Sequence, residues 1–351
     1  MVTGRTSAAP VKIADEVETA DHLEGVTARG SRPTLGAADD GAGGFRKGAV
    51  VVWATIGVVW VAFTVSGWIR WIVSDNFTPM EKGPDQIPVA SRAFVYGYQV
   101  IAMGTLLFMC YRFIIRPLRR EGRLSLDGML LIAGSFAYFL DPLINYFHPD
   151  TFGWNAYAVN VGAWGNVYPW AQPNHHYGEA LLWAWPDYID FGLLGAIMGC
   201  GVLRLLKRRS PRMTTPAALA IYWVIFFVGA TIVEIIRVRL ELYSYARTIS
   251  DLTLWPGHAY QWPIYESVFT ASAVVTFTYL RWSWLTRGRS FLDAGLAERA
   301  WSARTKRRVL LLAVIGFVPV VWATFYFVPW AFTSMFADSV AQLPSYMTPV
   351  K

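Results

Sequence analysis

Five acidic residues, Asp141, Asp187, Asp190, Glu234 and Glu266, stand at the ends of long apolar runs, and a sixth, Glu179, lies in the polar segment before Asp187. Carboxyl groups crowded into apolar surroundings suit general acid and base chemistry, because burial and mutual repulsion keep some protonated while others stay charged. His148, His175, His176 and His258 are close by in the chain. His175 and His176 precede Glu179 by four and three residues, so on a helix one of them could contact that carboxylate. A histidine beside a carboxylate shuttles protons near neutral pH, which makes His176 a candidate alongside the acids. A mononuclear metal site built from histidines and a carboxylate is the weaker alternative, since the chain has no H-E-x-x-H motif and no spaced set of histidine boxes. No metal or other cofactor is expected.

Glu234, Arg237 and Glu241 are spaced to share one face if their helix continues. Arg237 and Arg239 are then expected to pair with Glu234, Glu241 or Asp251, or to hold a substrate oxygen. Trp154, Trp164, Trp170, Trp183, Trp185, Trp255 and Trp262 cluster in the same stretches. They anchor at the membrane interface, or they line an apolar pocket and shield a developing cation. The plainer alternative for each acid is a helix cap or a solvated end. For Glu266, Pro263 suits the first turn of a helix, which sets the carboxyl near the positive end of the helix dipole. That position favours a carboxylate and so a base, with Asp141 or Glu234 as the acid.

The elements that must position these groups are membrane helices. The 351 residues are 54% hydrophobic, too apolar for an ordinary soluble domain of this length. Seven runs are long enough to cross a bilayer: Val50–Val73, about Phe94–Ile115, Leu126–Ile144, about Tyr188–Leu206, Pro216–Ile236, Ile264–Trp282 and Val309–Val328. Leu181–Trp185 is too short to span and reads as re-entrant or interfacial. Three alternate connections carry seventeen Lys and Arg residues, and the opposite face carries only Arg70, Lys82, Arg92, Arg237, Arg239 and Arg247. The positive-inside rule puts the N-terminus in the cytoplasm, and an odd number of spans puts the C-terminus outside. The expected fold is therefore all-α, a multi-pass protein of the cell membrane with about seven transmembrane helices.

Residues 1–46 read as a disordered cytoplasmic tail and not a secretory signal, 47–330 as the transmembrane domain, and 331–351 as a short C-terminal tail. The loops 145–186 and 237–263 fall on the extracytoplasmic side. The first has no Lys or Arg and is too aromatic for disorder. Cys110 and Cys200 both lie in apolar runs and suggest no disulfide. The net charge of +7 lies between the spans, which points to lipid headgroups and not nucleic acid. With this topology the five span-end acids share one level of the membrane on four helices, where they should face one another or a cavity.

The segments YFLDPLINYF, WNAYAVNVGAWGNVYPW, Glu179-Ala180-Leu181-Leu182-Trp183, Glu234 with RVRLELYSYA, and GHAYQWPIYES resemble the AveC-like family of spirocyclases. The resemblance covers roughly residues 50–330. It implies a membrane protein that closes a spiroketal on a polyketide-derived dihydroxyketone, in some members with a dehydration, and without a redox cofactor. Asp141, Glu179, Glu234, Glu266 and His176 are then the catalytic candidates. Asn145, Asn155, Asn160, Arg237, Arg239, Tyr243, Trp183, Gln261 and His258 are the candidate contacts for an apolar polyketide- or lipid-like substrate. The alternatives are a transporter or lipid-binding protein using the same cavity, and a membrane partner of a biosynthetic complex. The sequence names no protein partner.

Overall fold

The computed structural model describes residues 48–148, 150–168 and 178–347. Seven long helices carry the chain: α1 (Ala49–Ile72), α2 (Val89–Glu121), α3 (Leu126–Asn145), α4 (Ala184–Arg209), α5 (Thr215–Arg239), α6 (Ile264–Arg287) and α7 (Ala303–Ser334). Six of them, all but α6, are long and apolar enough to cross a membrane. The exception has a physical reason. α6 packs between α4 and α5, and its inner face carries Glu266, Ser267, Thr270, Thr278 and Ser283, all buried. A helix screened by its neighbours does not need an apolar coat. It still runs the length of the bundle, from β-paired Trp262 at one end to Arg281, which grips Asp127 of α3 at 2.8 and 2.9 Å, at the other.

Where two helices cross closely, glycine permits it. A Cβ on Gly57 of α1 would lie 2.0 Å from the Leu312 carbonyl of α7, and one on Gly316 would lie 2.2 Å from the Trp53 carbonyl. Inside lipid there is little hydrophobic gain between helices, so such close backbone fit is what holds α1 on α7. α7 in turn lies against α3, and α2 leans on α4. The outward faces of α1, α2 and α5 stay apolar, with Val59, Ile101 and Ile232 exposed.

Two local breaks in the helices shape the interior. α3 is α-helical to Ala137 and then tightens to three residues per turn over Tyr138–Asn145. At that pitch the Phe139 carbonyl would look for the N–H of residue 142, which is proline and has none. The Trp164 indole donates to this carbonyl instead at 2.8 Å, and the Tyr168 hydroxyl donates to it as well. The same pitch stacks Tyr138 and Asp141 on one side of the turn. In α7, Pro319 is followed by a wide π turn at Ala323–Phe327, which carries Tyr326. Such turns re-aim side chains inside long helices.

One end of the bundle is closed by short strands: β1 (Phe152–Trp154), β2 (Asn160–Gly162), β3 (Gly178–Ala180), β4 (Tyr243–Tyr245), β5 (Arg247–Thr248), β6 (Thr253–Leu254), β7 (Trp262–Pro263) and β8 (Ser339–Val340). They pair antiparallel as β1 with β4, β2 with β3, β5 with β8 and β6 with β7. These pairings bring the connections after α3, α5 and α7 to one end. The Asp85–Ser345 hydrogen bonds, at 2.9 and 2.7 Å, add the connection after α1.

Candidate functional site

Beneath the strand layer lies an open-sided cavity. Its roof follows from strand periodicity. Phe152 and Trp154 point to one face of β1, and their register partners Tyr245 and Tyr243 point to the same face of β4. The opposite face needs Gly153, because a Cβ there would meet the Met347 carbonyl at 2.2 Å. The walls are Trp183, Asp187, Tyr188 and Phe191 from α4 and its approach, Glu234 and Arg237 from α5, Glu266 and Thr270 from α6, and Trp322 and Tyr326 from α7.

Arg237 is the centre of one wall. Its Nη1 bonds Glu234 at 2.7 Å and Asp187 at 3.1 Å, and Nη2 donates to the Tyr98 hydroxyl of α2. Its guanidinium also lies over the rings of Tyr98 and Phe191 at 4.9 and 5.0 Å. One cation thus serves two carboxylates, while its Nε–H is buried and has no hydrogen-bond partner among the described residues. The indole N–H groups of Trp183 and Trp322 are in the same condition. Buried donors left unpaired in a cavity wall are places for a ligand's oxygens, because a native fold rarely tolerates such groups otherwise.

Glu266 faces this group. Thr270 Oγ1 donates to it at 2.6 Å and Ser267 Oγ at 3.3 Å, and it is 3% exposed. It lies in the first turn of α6, as expected, but its carboxyl takes these hydroxyls instead of capping the helix.

A second carboxyl centre lies behind the opposite wall. Asp141 and Glu179 are within hydrogen-bond reach of each other and are 2% and 0% exposed. Tyr188 Oη donates to Asp141 Oδ1, and Tyr138 Oη donates to Glu179 Oε2 at 3.2 Å and to the Ala180 carbonyl at 3.0 Å. Trp154 Nε1 lies beside both acids without closing a hydrogen bond. Among the described residues no Lys or Arg pairs with either acid. Burial first, and the Asp141 charge second, hold the Glu179 carboxyl well above the ordinary carboxylate range.

Several expectations change at this level. Glu179 sits in strand β3, opposite Val161, and not in a helix; His175, His176 and Trp170 lie outside the described residues. The helix carrying Glu234 and Arg237 stops at Arg239, and Glu241 turns into the left-handed region with φ 57°. Its carboxyl accepts from Tyr346 at 3.1 Å and it leaves the shared face. Arg237 takes Asp187 in its place. Arg239 makes no ion pair among the described residues; it stacks on Tyr260 and Trp255, at 3.7 and 4.3 Å, away from the cavity. His258 is exposed and stacks on Tyr260 at 5.0 Å. Asp190 is buried but does not line the cavity.

The amide candidates are used to fasten the loops. Asn145 exchanges two hydrogen bonds with the Phe152 backbone, at 3.0 and 2.8 Å. Asn155 donates to the Glu241 carbonyl at 2.5 Å. Asn160 accepts from the Met80 N–H at 2.7 Å and donates to the carbonyls of Ala156 and Ala158. Gln261 donates to the carbonyls of Tyr245 and Ala246 and accepts from the Gly257 N–H and Ser339 Oγ. Of the expected contacts, Trp183, Tyr243 and Arg237 line the cavity. Tyr98, Tyr188 and Tyr326 were not anticipated. A tyrosine in an apolar run carries no signal that separates a site residue from an interface anchor.

The sequence model of one family, described as "Spirocyclase AveC-like", matches residues 121–347. That span takes in every cavity-lining residue and both carboxyl centres. No curated protein and no solved structure gives a significant match.

Proposed function

Because the chain belongs to the AveC-like spirocyclase family, we propose that it closes a spiroketal on an apolar, polyketide-like dihydroxyketone by acid and base catalysis inside the membrane domain. The family supports a spirocyclase-type role, and six helices are long and apolar enough for a membrane protein. The observation that carries the finer reading is the cavity itself. It is aromatic on most sides, has unpaired N–H donors for oxygens, and is flanked by two carboxyl centres of opposite character. Ring closure needs that division. An acid protonates the ketone or hemiketal oxygen and water leaves. The resulting oxocarbenium ion is shielded by ring faces, and a base takes the proton of the second hydroxyl as it attacks.

Glu266 is the base, since it lines the cavity and among the described residues pairs with no cation. The Asp141–Glu179 pair is the store of the acidic proton. Arg237 Nε and the Trp183 and Trp322 indoles hold the substrate oxygens. The test is conversion by purified or membrane-expressed protein of a synthetic dihydroxyketone to a spiroketal of one configuration. Rate and stereochemistry equal to those of empty membranes, across several chain lengths, would sink this reading. Release of the ketone unchanged on the far side of a proteoliposome would favour transport in its place.

A further inference from the structure

The Asp141–Glu179 pair has no direct access to the cavity. Neither acid lines it, and both are buried. Tyr188 does line it, and its hydroxyl is bonded to Asp141. We propose that Tyr188 is the catalytic acid that touches the substrate, with its proton resupplied from the Asp141–Glu179 pair behind it. This rests on the ring-closure reading and names the residue that performs its acid step.

The geometry carries the argument. Two carboxyls side by side in a dry site, with no Lys or Arg paired to them among the described residues, cannot both be ionised, so the pair retains a proton. The groups facing them are Tyr138 on Glu179, Tyr188 on Asp141, and Trp154 beside both. Tyr138 is committed, because it also donates to the Ala180 carbonyl. Among the described residues Tyr188 bonds only Asp141. With the shared proton on Asp141 Oδ1 the hydrogen bond reverses, and the Tyr188 O–H is free to turn to the cavity. Its ring is fixed by Tyr138 at 5.6 Å, Phe327 at 5.3 Å and Trp322 at 5.7 Å, so the hydroxyl position is set by packing.

The step balances as follows. The Tyr188 O–H breaks as its proton passes to the hemiketal hydroxyl, and the Asp141 O–H breaks as its proton passes to the Tyr188 oxygen. The hemiketal C–O bond breaks, and water leaves with the electron pair. The second hydroxyl oxygen forms the new C–O bond and gives its proton to Glu266. Glu266 has then gained one proton and the pair has lost one. Both recover their starting protonation by exchange with water once the product has left.

Two substrates separate this role from a structural one. The first is a dihydroxyketone, whose leaving group is water and must be protonated. The second is the matching mixed ketal with 4-nitrophenoxide, which departs without a proton. Tyr188→Phe should lower kcat on the first by about 10²-fold or more and leave the second within about threefold of the unaltered protein. Glu266→Gln should lower both, because the attacking hydroxyl needs its base in either case. Adding Asp141→Asn and Glu179→Gln to Tyr188→Phe should lower the first rate no further, since the three act as one chain. Retained turnover of the mixed ketal shows that each variant is folded. Equal loss on both substrates, equal retention on both, or a multiplied loss in the combined variant overturns the relay. Inertness of the unaltered protein on both substrates overturns the ring-closure reading and the relay with it.

Discussion

Two buried carboxyl centres lie on opposite sides of the cavity and are solved differently. On the α5 side, Arg237 bonds both Glu234 and Asp187, one cation between two carboxyls. On the α3 side, Asp141 and Glu179 have each other and tyrosine hydroxyls, with no paired Lys or Arg among the described residues. Residue type does not separate them. What differs is whether a cation was brought in on a neighbouring helix. A centre with a cation has its carboxyls held by that cation, while one without keeps a proton, which is what an acid catalyst requires.

The comparison can be broken most severely at Glu266, which bonds to neither centre. Glu266→Gln keeps the shape and one hydrogen bond but removes the base. Turnover should fall about 10²–10⁴-fold, with membrane abundance near normal; unchanged turnover at equal abundance would move the base elsewhere.

Next in size is Arg237→Leu, which strands Glu234 and Asp187 as unpaired buried charges. Stability should fall by about 3–5 kcal/mol, the range for breaking a buried pair on one side. Thermal unfolding in detergent measures it. Combining the change with Glu234→Gln and Asp187→Asn should recover most of the loss. If it does not, the guanidinium's packing on Tyr98 and Phe191 matters more than its charge.

Glu179→Gln sharpens the contrast. A protonated glutamic acid and a glutamine are close in shape and neither is charged, so stability near neutral pH should change by less than about 1.5 kcal/mol. Glu234→Gln, which removes a partner from a charged centre, should cost more. The pH dependence follows from the raised Glu179 carboxyl. The folded chain holds this proton after the unfolded chain has released it near the ordinary value of about 4.3. Its contribution is therefore fully present below that pH and is lost as pH rises through the raised folded value. Glu179→Gln should flatten the alkaline decline in melting temperature, and a steeper decline in the variant would mean that Glu179 is ionised in the fold.

The smallest effect on turnover is expected at Asn145, whose two hydrogen bonds start strand β1 and so position Trp154 in the roof. Asn145→Ala should cost about 1–3 kcal/mol of stability, with a modest fall in turnover that follows the folded fraction. A large kcat loss at full stability would instead make Asn145 a substrate contact.

Much of the fold was legible in the chain. The observed helix α3 begins at Leu126 and α6 at Ile264, the positions where their apolar runs begin, and α5 begins one residue before the run at Pro216. The gathering of Asp187, Glu234 and Glu266 at one level was legible too. The strand at Glu179 was not legible, because its pairing with Val161 is made across a loop and leaves no local period. The amides of Asn155, Asn160 and Gln261 looked like ligand contacts, yet loop backbones consume them. Buried turns carry many unsatisfied carbonyls and N–H groups, and side-chain amides are the nearest remedy.

The sequence alone determined where the long helices lie and that Asp187, Glu234 and Glu266 stand at their ends. A helix in lipid must satisfy its own backbone and match the bilayer, so length and apolarity are local quantities that can be read along the chain. Which acid received the arginine was decided only in the tertiary structure. Arg237 meets Asp187, fifty positions earlier, and Asp141 meets Glu179 across a strand that no periodicity announced. Charge pairing depends on distance in space, and a carboxyl group has the same letter whether it ends beside a cation or beside another acid.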